Sequence, residues 1–238
     1  MSALLPGLLG LIGLALGPFL HGLAVQAGAD GDLHSGLTCP RCGEDGAVAA
    51  IRCSCNRWRW REGALALLVA PAFAGMATAV GWRPLLIAHL ALVVVTSILI
   101  VTDLDHFRIP NRILYPGTAA AFVLLIVGAA LEDEEGSLLR GVAGSAIYFG
   151  LLLAVFLVAR GDGFGFGDVK LAALLGLFTA YHSYRTLAWG LIITAVLGAI
   201  PAFVLLAMGR GRKAAIPYGP PLILGAWGAI VFSGALVG

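Results

Sequence analysis

Residues 90 to 101 read Leu90-Ala-Leu-Val-Val-Val-Thr-Ser-Ile-Leu-Ile-Val101, an uncharged run that ends at Thr102-Asp103. A membrane barrel strand would alternate polar and apolar residues, and this run does not. It reads as one turn after another of a helix whose surroundings are apolar on every side. A spanning helix needs about 20 mostly apolar residues, and the flanking sequence supplies them from 84 to 102. Comparable stretches run from 3 to 23, 63 to 81, 113 to 131, 139 to 159, 186 to 208 and 217 to 237, with a shorter one from Val169 to Tyr181. The expected fold is therefore an all-α polytopic membrane protein of about eight transmembrane helices.

Composition agrees. Hydrophobic residues fill 60% of the 238 positions and charged residues 12%, against roughly a quarter charged in a soluble domain. The net charge of +2 provides no global field for nucleic acid or acidic ligands. How the charges are distributed says more. With the amino terminus outside, the loops on the cytoplasmic side hold Arg41, Arg52, Arg57, Arg59, Arg61, Arg108, Arg112, Arg160, Lys170, Arg210, Arg212 and Lys213, twelve of the fifteen basic residues. The outer side receives Arg83, Arg140, Arg185 and the acidic run Glu132, Asp133, Glu134, Glu135. This segregation follows the positive-inside bias and would be scrambled by one span more or fewer. The first apolar segment has no basic residue ahead of it and carries Gly17-Pro18 late in its length, so it reads as a retained helix rather than a cleaved signal.

Organisation follows from loop length. Residues 1–23 form the first transmembrane helix, 24–62 a cytoplasmic insertion rich in Asp, Arg, Gly and Cys, and 63–238 a seven-helix core whose short loops predict antiparallel neighbours. Small residues such as Gly141, Gly144 and Ser145 predict close helix crossings in lipid. The insertion holds all four cysteines, Cys39-Pro-Arg-Cys42 and Cys53-Ser-Cys55. Four thiolates in a short coreless loop suit a tetrahedral structural zinc, and a reducing cytoplasm disfavours disulfides. Arg57-Trp58-Arg59-Trp60-Arg61 belongs to the headgroup layer, where Trp and Arg are both at home, and not to a nucleic-acid surface.

Two aspartate-bearing segments fall on the same side of the membrane: Val101-Thr102-Asp103-Leu104-Asp105-His106-Phe107-Arg108-Ile109-Pro110-Asn111, and Arg160-Gly161-Asp162-Gly163-Phe164-Gly165-Phe166-Gly167-Asp168-Val169-Lys170. Acidic residues at span ends are costly and so point to function. Peptide hydrolysis without a nucleophilic side chain needs one carboxylate to take a proton from water and another to donate one. A close pair that shares a proton does both. Glycines at 161, 163, 165 and 167 let backbone approach a partner helix or a bound peptide closely. Asp168 would open the sixth helix, where a carboxylate suits the positive end. On these grounds alone Asp105 and Asp162 are also available as partners.

Asp103 followed by Ile109-Pro110-Asn111, and Gly165-Phe166-Gly167-Asp168-Val169-Lys170-Leu171, resemble the two signature regions of the type IV prepilin peptidases, the GxGD-type membrane aspartic proteases of bacteria. Gly17-Pro18-Phe19-Leu20, the four-cysteine loop and Ile216-Pro217-Tyr218-Gly219-Pro220 resemble further parts of that family, in order along the chain. The resemblance implies that Asp103 and Asp168 are the catalytic pair, with Asp105 and Asp162 as neighbours that tune them. Gly165, Gly167, Pro110 and Asn111 would support them, and Lys170 matches the family's GDxK lysine; read without the family, it is a snorkelling interfacial cation. It also implies residence in the bacterial cytoplasmic membrane with the site facing the cytoplasm. The reaction would be removal of a short basic leader from prepilin or pseudopilin precursors. Many relatives methylate the new amino terminus with S-adenosylmethionine, a role associated with the cysteine loop; here the second cysteine pair is CxC rather than CxxC. The rival readings are an ion-coupled transporter, which requires carboxylates near the midplane and broken helices, and a non-enzymatic assembly scaffold.

Overall fold

A computed structural model describes residues 4–28, 59–159, 165–207 and 217–233. Within them the chain forms eight helices and no strand. They are α1 (Leu4–Gly28), α2 (Arg59–Val80), α3 (Leu85–His106), α4 (Asn111–Leu131), α5 (Glu135–Val158), α6 (Phe166–His182), α7 (Tyr184–Ala207) and α8 (Gly219–Val231). Six of these, α1 to α5 and α7, are long and apolar enough to cross a membrane; α6 and α8 are shorter. This is an all-helical, multi-pass membrane protein. The first helix runs past residue 23 and the second begins before 63, so regular structure extends further into the insertion than hydropathy alone suggests.

Most of α3 is buried, whereas α4 and α5 turn much of their surface outward to where lipid would lie. The helix contacts explain this: α3 lies against α1, α2, α4 and α8, and α6 against α5, α7 and α8. Consecutive helices are neighbours as expected, with α4 and α5 touching over the least of their length. Lipid tails are as apolar as the helices, so association rests on close packing and buried hydrogen bonds rather than on escape from water. Glycines provide the packing. A Cβ on Gly144 would lie 2.0 Å from that of Ala180, and one on Gly17 would lie 2.3 Å from the Cα of Ala66. Both crossings require the missing methyl. The hydrogen bonds come from polar groups within the spans: Thr96 donates to the Leu92 carbonyl at 2.6 Å and accepts from Trp227 Nε1 at 3.2 Å, joining α3 to α8.

The two ends of the bundle differ in character. At one end Arg83 pairs with Glu132 and Glu134, Glu132 accepts the Leu85 N–H at 3.1 Å, and the Tyr181 hydroxyl donates to Glu134 at 3.0 Å. Arg140 donates there to the carbonyls of Ala180 and His182 at 2.9 and 3.1 Å, closing the end of α6. The acidic run thus shares a side with Arg83 and Arg140, as the charge count predicts. Asp103 lies eighteen residues along α3 from Leu85, about 27 Å at the helical rise. That approaches the thickness of the hydrocarbon layer, about 30 Å. Asp103 therefore lies toward the opposite end of α3 from this charged cluster and not at the middle of the helix.

Candidate active site

Asp103 lies inside α3, one turn before its end, where the sequence suggests the start of a loop. The helix carries on to His106 and stops at Phe107, whose backbone turns left-handed at φ 51° and returns its N–H to the Asp103 carbonyl. A left-handed terminal residue is a usual helix ending, although glycine normally fills it. Ile109-Pro110 then sets an extended path, with Pro110 at ψ 123°, and α4 begins at Asn111. The consequence for the side chain is burial: Asp103 is only 4% exposed. Its Oδ2 accepts the backbone N–H of Gly219, at the start of α8, at 2.9 Å.

Asp168 is in the first turn of α6 and is 6% exposed. Its Oδ2 accepts the Gly165 N–H at 3.1 Å, while its own N–H donates to the Gly165 carbonyl at 3.1 Å. This reciprocal pairing ties the carboxylate to the backbone that precedes its helix. Its second oxygen, Oδ1, is buried and has no hydrogen-bond partner among the described residues. Gly167 brings this turn against the other signature segment, since a Cβ there would lie 3.0 Å from that of Ile109.

Asp103 and Asp168 line one open cavity of about 790 Å³, together with Thr102, residues 106 to 112 and Gly165 to Gly167. Lys170 does more than reach for the headgroups. Its Nζ donates to Asn111 Oδ1 at 3.0 Å and lies over the Tyr115 and Phe166 rings, 5.2 and 5.1 Å from their centres. One side chain thus bridges the start of α4 to the start of α6.

Asp105 faces elsewhere and pairs with Arg61 at the start of α2. His106, Phe107, Arg108 and Arg112 line the cavity; residue-type reasoning gave none of them a part, although their place beside Asp103 and the Ile109-Pro110-Asn111 motif was a signal. The role of Gly219 was also unforeseen, though its motif was noted. Asp162 and the cysteines Cys39, Cys42, Cys53 and Cys55 lie outside the described residues, and the zinc expectation lies there with them. Among the described residues no three His, Cys, Asp or Glu side chains group as a metal would require.

Comparison with known proteins gives a consistent answer. The type IV leader peptidase family matches residues 90–208, half of the chain and the part that contains both aspartates. Three similar proteins are each named prepilin leader peptidase/N-methyltransferase. The protein from Pseudomonas putida is 29% identical over 192 residues, covering 77% of this chain and 64% of its own. The one from Stutzerimonas stutzeri is 29% identical over 133 residues, 55% of this chain and 44% of its own. The one from Bacillus subtilis is 30% identical over 149 residues, 61% of this chain and 56% of its own. The chain thus spans about half the length of these curated relatives. No solved structure matches it.

Proposed function

We propose that this chain, which belongs to the type IV leader peptidase family, is a membrane aspartic endopeptidase that cuts the short basic leader from prepilin-like or pseudopilin-like precursors at the cytoplasmic membrane face. The observation that carries the reading is the cavity shared by two buried carboxylates from different helices, Asp103 and Asp168. Two such groups on one cavity hold one proton between them, and their titration belongs to the pair. The ionised member takes a proton from water as the water oxygen attacks the scissile carbonyl, and the protonated member donates to the carbonyl oxygen. Collapse of the tetrahedral species then passes a proton to the leaving nitrogen. A precursor whose apolar stem lies in the bilayer keeps its basic leader at the inner surface, level with these carboxylates.

The names of the relatives extend the proposal to methylation of the new amino terminus with S-adenosylmethionine as methyl donor. The cleavage steps above are derived from the two carboxylates alone and need neither group. The transporter reading calls for carboxylates at the midplane, and no observation favours it.

The test is incubation of the purified membrane protein with a leader-bearing precursor, with the new amino terminus read by mass spectrometry. Wild-type protein releases a shortened product, and any added methyl appears in the same spectrum. Asp103→Asn and Asp168→Asn should each remove cleavage while inserting normally. An intact precursor with wild type, or cleavage that survives either substitution, rejects the assignment.

A further inference from the structure

The start of α8 reads Tyr218-Gly219-Pro220-Pro221-Leu222, and its chemistry is selective. The first turn of a helix leaves backbone N–H groups without partners inside the helix. Prolines 220 and 221 have no N–H to offer, and the Leu222 N–H is returned to the Tyr218 carbonyl at 3.3 Å. Across residues 219 to 222 this leaves one N–H that can point outward, that of Gly219, and it points at Asp103 Oδ2. The helix end also carries partial positive charge, which favours a carboxylate there.

Steric constraint singles out the same residue. A Cβ on Gly219 would lie 2.8, 3.2 and 3.4 Å from Oδ2, Cγ and Cβ of Asp103, and these are its three nearest atoms. All three belong to one side chain, so the missing methyl makes room for that carboxylate before any other group. Gly228, further along the same helix, differs: its added Cβ would meet nothing closer than the Ile193 Cδ1, at 3.8 Å.

We propose that Gly219 is a positioning residue for the cleavage reaction, holding the Asp103 carboxylate by its N–H and tolerating no side chain because that carboxylate fills the space. The inference rests on the peptidase reading and deepens it. The Gly-Pro-Pro start of α8 becomes part of the catalytic apparatus through its backbone. Substitution at 219 displaces Oδ2 by the half ångström or more that separates 2.8 Å from an ordinary contact. A misplacement of about 1 Å costs about 100-fold in rate.

The experiment measures kcat and KM of the full chain on a leader-bearing precursor, with thermal unfolding in parallel. Gly219→Ala should lower kcat between about 10- and 100-fold with KM within about twofold, because it disturbs the reacting group and not substrate binding. Gly228→Ala should leave both constants unchanged. If Gly219→Ala also unfolds more easily, Asp103→Ala should restore its stability, since it removes the atoms that the new methyl meets. Three results overturn the inference: an undiminished kcat in Gly219→Ala, a loss carried by KM instead, or a destabilisation that persists undiminished with Asp103→Ala. Wild type that leaves the precursor intact, or Asp103→Asn that still cleaves it, defeats the peptidase reading and this inference together; wild-type cleavage with an undiminished Gly219→Ala defeats this inference alone.

Discussion

Lys170 gives the sharpest test of how the two signature segments are held together. Replacing it with Met keeps the length and apolar contact of the stem and removes the ammonium. Two cation–π contacts are lost, at 5.1 and 5.2 Å, each worth about 0.5 kcal/mol at an exposed site. One charge-assisted hydrogen bond to Asn111 at 3.0 Å is lost as well, worth about 1 kcal/mol once exposure to water is allowed for. The sum is about 2 kcal/mol. Because the bridge holds Asn111 and Phe166, both of which line the cavity, and starts two residues from Asp168, this energy should appear in catalysis as well as in folding: kcat/KM should fall about 10- to 30-fold. A double-mutant cycle isolates the hydrogen bond. Asn111→Ala, Lys170→Met and the pair together should show a coupling of about 1 kcal/mol in both thermal stability and kcat/KM. Lys170→Arg, which keeps the charge over both rings, should recover part of the loss. Additive single effects, within about 0.3 kcal/mol in both measurements, would refute the bridge, and so would a Lys170→Met enzyme of wild-type efficiency.

Further outcomes are expected elsewhere in the molecule. Burial works to raise the Glu134 carboxyl, but hydrogen bonds from Arg83 and Tyr181 and the charges of Arg83 and Arg140 outweigh it and hold it below its ordinary 4.5. Its contribution is therefore present above that value and is lost as pH falls further through the lowered one. Because the group is partly exposed, at 31% of its side chain, solvent screens the pairing, so Glu134→Gln should cost less than about 1 kcal/mol at neutral pH, and thermal melts should converge with wild type in acid. Gly144→Val forces α5 away from Ala180 and should cost about 1 to 3 kcal/mol, read as a lower unfolding temperature in detergent, whereas Gly150→Val, with open space around it, should not. The four-cysteine reading of the sequence predicts about one zinc per chain on metal analysis of purified protein, reduced when Cys39 and Cys42 are replaced by Ser; metal-free protein would reject that reading.

The sequence by itself determined the helical class, the charge asymmetry between the ends, and the two segments that would carry carboxylates. Each of these is a local property: an uncharged run of about 20 residues has no soluble alternative, and an aspartate at the end of such a run is conspicuous. The Gly144 crossing was legible for the same reason, since small residues in a span have few uses but close approach, whereas the Gly17 crossing against Ala66 emerged only from the structure. Tertiary structure decided what depends on separate parts of the chain meeting. Asp103 stands inside its helix because Phe107 accepts a left-handed turn, which hydropathy does not record. Asp105 turns away because Arg61 claims it. Gly219 reaches Asp103 across 116 residues of chain, and Lys170 reaches Asn111 across 59. Such pairings depend on the direction of side chains and N–H groups after the helices have packed, and no pattern within one segment encodes that direction.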